Sequence, residues 1–136
     1  MSDTTITILR KFLLAKNFVV TTDESNLAFG DYILEMCSKQ ICITAIRDRS
    51  VEHLEIRQSD DRTESFDMDI LRSYILNEDW LTGPRNIGAE IKFIREYFDE
   101  INGIFSSENY PDIKVSLQNL KIERGKKMFP HWFKDA

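Results

Sequence analysis

Three short runs with a two-residue period, separated by tight polar turns, constrain this chain more than any other feature. Tyr32, Leu34 and Met36 alternate with Ile33, Glu35 and Cys37; Ile41, Ile43 and Ala45 alternate with Cys42, Thr44 and Ile46. After Arg47-Asp48-Arg49-Ser50, Val51, Leu54 and Ile56 recur among Glu52, His53, Glu55 and Arg57. Successive strand side chains point to opposite faces, so this pattern makes strands with one apolar and one polar face. The connections are too short for a parallel crossover, which predicts an antiparallel meander. Phe18-Val19-Val20-Thr21-Thr22 is a candidate further strand, ending at the polar turn Asp23-Glu24-Ser25-Asn26, so the sheet has three or four members. Asp60-Asp61-Arg62-Thr63 closes it.

On either side the period lengthens to that of a helix. Residues 3–16 carry Ile6, Leu9 and Leu13 at helical spacing, with Asp3/Thr4 as the N-cap and Asn17 as the end. Beyond the sheet, Ser65 is the expected cap of a helix bearing Phe66, Ile70, Leu71, Tyr74 and Ile75. Gly83-Pro84 opens a second, in which Ile87, Ile91, Ile94, Phe98, Ile101 and Phe105 form one stripe along about five turns. A third starts near Tyr110-Pro111-Asp112, carries Ile113, Leu117 and Leu120, and has Gly125 as its expected C-cap. Strands followed by helices give an α+β class, with one helix before the meander and three after it packed on one sheet face. At 136 residues, with 42% hydrophobic and 30% charged positions and no linker or repeat, residues 1–136 read as one domain able to bury its own core.

Charge is polarised along the chain. Gln58–Asp79 holds seven acids (Asp60, Asp61, Glu64, Asp67, Asp69, Glu78, Asp79) against Arg62 and Arg72, a net −5. Ile113–Ala136 holds six bases (Lys114, Lys121, Arg124, Lys126, Lys127, Lys134) against Glu123 and Asp135, a net +4. An acidic centre repels nucleic acid and attracts basic proteins. The basic, aromatic stretch Arg124–Phe129 has the composition of a single-strand binder, but an isoelectric point near 5.1 and the lack of a nucleic-acid module signature oppose that role. The tail residues Met128-Phe129-Pro130-His131-Trp132-Phe133 suit packing onto the domain or a contact surface.

Catalytic and metal signatures are sparse. His53 and His131 are the only histidines, and His53, between Glu52 and Glu55, reads as a structural residue with satisfied hydrogen bonds. Cys37 and Cys42 flank a polar turn, a spacing that suits facing strands of one hairpin; their expected state is two free thiols acting as small apolar groups in a reducing compartment, with a disulfide or redox pair as the alternative. Asp60-Asp61 and Asp67-Met68-Asp69 lack the glycine and terminal glutamate of a calcium loop, and zinc has no four-ligand set. Gly83-Pro84-Arg85-Asn86-Ile87-Gly88 lacks the lysine-serine ending of a phosphate loop. No cofactor, no metal and no catalysis are expected. No apolar run approaches the roughly 20 residues of a membrane span, and Met1–Lys16 lacks a signal-peptide h-region, so the expected location is the cytoplasm.

The run Phe29-Gly30-Asp31-Tyr32-Ile33-Leu34-Glu35, the Arg47-Asp48-Arg49 turn after Ile41–Ile46, and His53-Leu54-Glu55-Ile56 together resemble the central meander of small bacterial immunity proteins. These are the inhibitors that accompany contact-dependent growth-inhibition and other polymorphic toxins. The resemblance spans roughly residues 27–58 and implies a cytosolic protein, monomeric or weakly dimeric, that covers the active site of a cognate toxin domain, often a basic nuclease. The acidic centre is compatible with such a partner, with Asp60, Asp61, Glu64, Asp67, Asp69, Glu78 and Asp79 as contact residues and Trp80 as a buried anchor. A cytosolic adaptor or small-ligand sensor with a pocket between sheet and helices is the alternative.

Overall fold

The computed structural model describes residues 3–26, 30–79 and 86–129. Helix α1 (Asp3–Ala15) leads into β1 (Val19–Asn26), β2 (Asp31–Cys37), β3 (Ile41–Asp48) and β4 (Val51–Gln58). A two-residue strand, β5 (Phe66–Asp67), runs straight into α2 (Met68–Leu76), followed by α3 (Ile87–Glu96), α4 (Phe98–Ile104) and α5 (Tyr110–Met128). The sheet order is β1-β2-β3-β4-β5 with every pair antiparallel. This is the α+β arrangement that the alternation predicts.

Register puts like with like. Leu34, Ala45 and Leu54 lie in one cross-strand row, and Met36, Ile43 and Ile56 in the next, which Phe66 extends through its pairing with Ile56. All seven are at most 3% exposed. Onto this face pack Leu9 and Leu13 of α1, Ile70 and Leu71 of α2, Ile91 and Ile94 of α3, Ile101 and Ile104 of α4, and Leu117 of α5. Phe98 joins the layers edge-on, with ring centroids 5.5 Å from Phe12 and 6.0 Å from Phe18. Two turns rely on left-handed backbone at residues other than glycine. Asn17 (φ 67°) ends α1 so that the Phe18 N–H can reach the Leu13 carbonyl at 3.0 Å. Arg49 and Ser50 (φ 52° and 69°) form the two-residue β3–β4 turn, whose twist matches that of the strands. The Asp31 carboxylate accepts the Arg49 N–H at 3.0 Å and steadies this turn.

Several expected boundaries differ. The polar segment Asp23–Asn26 is not a turn but the second half of β1, paired residue for residue with Leu34, Ile33, Tyr32 and Asp31. It lies on a sheet edge, where ladder hydrogen bonds outweigh weak strand propensity and acids guard against further pairing. The sheet has a fifth strand because Phe66 and Asp67 pair with Ile56 and Glu55 before α2 begins. Asp67, rather than Ser65, therefore caps α2, its Oδ1 accepting the Ile70 N–H at 3.1 Å. The stripe from Ile87 to Phe105 keeps its buried side but is divided at Tyr97 (φ −115°, ψ 26°), giving four helices after the meander among the described residues where three were expected. The aromatic pair at the break explains the division: Tyr97 stacks on Phe93 at 4.7 Å, while Phe98 turns toward Phe12 and Phe18. Gly125 lies within α5, which runs on to Met128.

Cys37 and Cys42 form a disulfide, where two free thiols were expected. They are directly opposed in the β2–β3 register, their Cα atoms 4.1 Å apart, so the hairpin itself brings the sulfurs into bonding range.

Because Phe66 and Phe105 are fully buried and in ring contact (6.4 Å), Phe66→Ala should cost about 3–5 kcal/mol in urea unfolding. Val115→Ala, at a position 56% exposed on α5, should stay within about 0.5 kcal/mol.

Candidate functional site

The opposite charges of the two sequence segments meet inside the molecule. Helix α5 runs beside β5 and α2, and its bases meet acids of the 60–79 segment in order. Lys114 pairs with Asp61 (2.7 Å), Lys121 with Glu64 (3.5 Å), Arg124 with Asp67 (2.6 Å), and Lys127 with Asp79. Lys114, Lys121 and Arg124 recur at steps of seven and three, which places them on one helix face with Leu117. The Asp61 carboxylate is the most heavily engaged, accepting bonds from Lys114 Nζ (2.7 Å), Thr63 Oγ1 (2.6 Å) and the Tyr110 hydroxyl (2.6 Å). The Lys114 bond, followed by those from Thr63 and Tyr110, holds its carboxyl far below the usual carboxylate range. Burial, with the Asp61 charge beside it, pushes the Tyr110 hydroxyl up. Lys121 Nζ also bonds the Ser65 carbonyl and lies 4.5 Å from the Phe66 ring centre.

These contacts change the standing of the acidic segment. Asp61, Glu64 and Asp67 are half-buried and tied to α5, Asp69 is buried in α2, and Asp79 is exposed but paired with Lys127. Asp60 and Glu78 face outward. Trp80 lies outside the described residues, as do Pro130–Phe133 of the aromatic tail. The eight predicted contact residues therefore do not form one open patch.

The sheet face turned away from the core gathers a different polar set. Glu35, Thr44, Glu55 and Asp67 form one cross-strand row over β2–β5. Residues Arg62–Ser65 overhang it, enclosing with Glu35, Thr44, Glu55 and Arg57 a cleft of about 230 Å³. Glu35 accepts the Thr21 hydroxyl at 2.7 Å and lies 3.5 Å from the Arg57 guanidinium. Arg57 is anchored further on the carbonyls of Gln58 (3.2 Å) and Ser59 (3.0 Å). His53 Nε2 lies 3.6 Å from Glu55, and this interaction, against the opposing effect of burial, holds the Glu55 carboxyl below its ordinary value. His53 thus has the partnered role expected of it. Glu35 oxygen and the two cysteine sulfurs lie within 4.8 Å of one another, but bonded to each other those sulfurs are not thiolate ligands. The cleft is chemically suited to polar recognition: carboxylates and guanidiniums are held in place at partial exposure.

A further group of acids sits at one end of the molecule. Gln58 Nε2 bonds the Phe105 carbonyl (3.0 Å), Gln40 bonds the Asn102 carbonyl, and Tyr110 reaches Asp61. The β2–β3 turn, the turn after β4 and the α4–α5 connection therefore converge. Asp60, Glu108 and Asp112 are exposed around this junction, together with Lys39 of the β2–β3 turn; Asp99 and Glu100 are exposed on the first turn of α4, beside Phe98 and its neighbours Phe12, Phe18 and Lys16. Reading by net charge overlooked Glu108 and Asp112 because they are spread thinly, and Asp99 and Glu100 read as the solvated side of a helix; the only signal was the lack of any base between Glu96 and Ile113.

No protein family, curated protein or solved structure matches the chain.

Asp61→Asn should destabilise the protein by about 1.5–3 kcal/mol at neutral pH, since it removes the charged acceptor of several hydrogen bonds. With the folded pKa depressed, this stabilisation is complete above the unfolded value of about 3.9 and is lost as pH falls through the folded one. Urea unfolding of both proteins should show a constant gap at pH 5–8 that narrows in acid.

Proposed function

We propose that this chain is an immunity-type inhibitor: a protein that binds a cognate toxin domain, most suitably a basic nuclease, and neutralises it by covering its active-site surface. The observation that carries this reading is the unshared acidic end. Within the described residues Asp60, Glu108, Asp112, Asp99 and Glu100 make no ion pair, whereas the acids facing α5 are neutralised by it. A basic, phosphate-binding surface is the electrostatic complement of such an end, and long-range attraction would speed encounter. The sheet face turned from the core adds shape and mixed polarity: Val19 (61% exposed) and Ile33 (41%) lie in the cross-strand rows on either side of the Glu35–Glu55 row. In this reading Asp60 and Glu78 remain contact candidates from the acidic segment, while Asp61, Glu64 and Asp67 hold α5 in place.

One observation favours the alternative of a small-ligand sensor, namely the polar cleft beside Arg57. Its 230 Å³ is below the roughly 300–1,000 Å³ of common ligand pockets, and it lies on the outer sheet face rather than between sheet and helices.

Co-expression with the toxin domain encoded beside it should restore growth and yield a co-purifying complex; neither outcome occurring would end the proposal. Reversing Asp60, Glu108 and Asp112 to lysine should slow association about tenfold or more in low salt. The deficit should shrink toward 0.5 M salt, as stopped-flow or surface-binding kinetics would record. Unchanged association would remove this surface from the contact.

A further inference from the structure

The Cys37–Cys42 disulfide closes a loop of only four intervening residues, and because cross-link stabilisation grows with loop length its contribution is at the low end for disulfides. The same hairpin end is held by the Ser38 N–H to Ile41 carbonyl bond (2.8 Å) and the Ser59 N–H to Gln40 carbonyl bond (2.9 Å). Ser38 Oγ also accepts the Gln40 and Ile41 N–H groups, both at 3.2 Å. The cross-link lies on the outer sheet face, away from the core that the helices cover.

The two sulfurs are not equivalent. Cys37, on β2 next to the edge strand, is half-buried, whereas Cys42 is 2% exposed. Arg57 is the direct cross-strand neighbour of Cys42. Its guanidinium is fixed on the Ser59 carbonyl, and Ser59 Oγ lies 3.9 Å from Cys42 Sγ. On the other side, Thr21 Oγ1 lies 3.6 Å from Cys37 Sγ, with the Glu35 carboxylate close to both sulfurs. One sulfur is thus reachable and the other is buried beside a fixed cation.

We propose that Cys37–Cys42 is a reversible thiol–disulfide exchange site with a fixed direction of attack. A low-molecular-weight thiolate of the glutathione class attacks Cys37 Sγ, forming a mixed disulfide there, and the Cys37–Cys42 bond breaks with its electron pair going to Cys42. The departing Cys42 thiolate is stabilised by Arg57. A second thiolate attacks the small-molecule sulfur of the mixed disulfide, releasing the oxidised small molecule and leaving Cys37 as a thiolate. Two external thiols supply the two electrons, and the protons they lose are taken up by the protein thiolates according to pH. Exchange of this kind is governed by access to the attacked sulfur and by the stability of the leaving thiolate. Arg57 favours the reduced form by stabilising thiolate, and Glu35 opposes it.

The test is equilibration of the intact protein across reduced-to-oxidised glutathione ratios, acid quench, alkylation of thiols and intact mass. The expected result is one transition between zero and two alkylated cysteines. With oxidised glutathione, Cys42→Ser (leaving Cys37) should be glutathionylated about tenfold faster than Cys37→Ser (leaving Cys42). Arg57→Met should make the disulfide harder to reduce, by a factor of about three to ten in the equilibrium constant, and Glu35→Gln should make it easier. A tenfold change corresponds to about 30 mV. Wild-type protein that keeps two thiols, or keeps its disulfide, at every ratio would overturn the proposal. So would faster modification of Cys42, a measurement that does not depend on how well the Arg57 variant folds.

Discussion

The two-residue alternation of β2, β3 and β4 obliges the sheet to have a dry face and a wet one. Leu34, Met36, Ile43, Ala45, Leu54 and Ile56 all leave on the same side, and nothing within the sheet can cover them. Helices must do so, and every helix contributes at least one fully or nearly fully buried aliphatic side chain to that layer. At about 25 cal/mol per Å² of apolar surface removed from water, this burial is the leading favourable contribution to folding. A one-residue slip of any central strand would turn its aliphatic set outward, which is why register is firmly held. The other consequence is functional. With the described helices packed on the other side, Glu35, Thr44 and Glu55 stay partly exposed beneath the Arg62–Ser65 overhang.

Helix α5 is held by a different balance. It buries Leu117 and Tyr110 and partly buries Ile113 and Leu120, a modest apolar contribution for nineteen residues. Its basic face supplies the rest by meeting acids before and within β5 and after α2. Surface ion pairs taken singly are worth little, but Lys114–Asp61 and Arg124–Asp67 are mostly shielded from water and short, which raises their contribution. Pairing also fixes which way α5 runs and which of its faces turns inward, because reversing the helix would set its bases against the wrong ends of the acidic segment. The carboxylates paired with α5 are structural, and Asp60, Glu108 and Asp112 make no such pair among the described residues.

The disulfide, the Arg57 anchor and the acidic end adjoin one another around the β2–β3 hairpin. Ser59 bonds the Ser38 carbonyl at 2.9 Å and the Gln40 carbonyl through its own N–H. A change in the state of the sulfurs would thus be felt first where Gln40 and Gln58 grip the α4–α5 connection. Recognition by surface charge and exchange at the disulfide need no common step, so each stands on its own observation.

Much of the architecture was legible along the chain. Period-two and period-three-to-four patterns are local consequences of side-chain direction, so the meander, the helices around it and the identity of their core positions followed from Leu34, Met36, Ile91, Ile94 and their like. Boundaries were less legible where long-range pairing overrides local preference, as in Asp23–Asn26 drawn into β1, Phe66–Asp67 drawn into β5, and Tyr97 broken by its aromatic neighbours. The candidate surface was the least legible. Net charge along a sequence says which carboxylates exist but not which bases will reach them, and only the docking of α5 separated Asp61, Glu64 and Asp67 from Asp60, Glu108 and Asp112. The sequence by itself determined the sidedness of the sheet and the class of fold, since both arise from neighbours one to four residues apart. Tertiary structure alone decided which charges are spent internally, because that depends on distances between groups that chain order does not set.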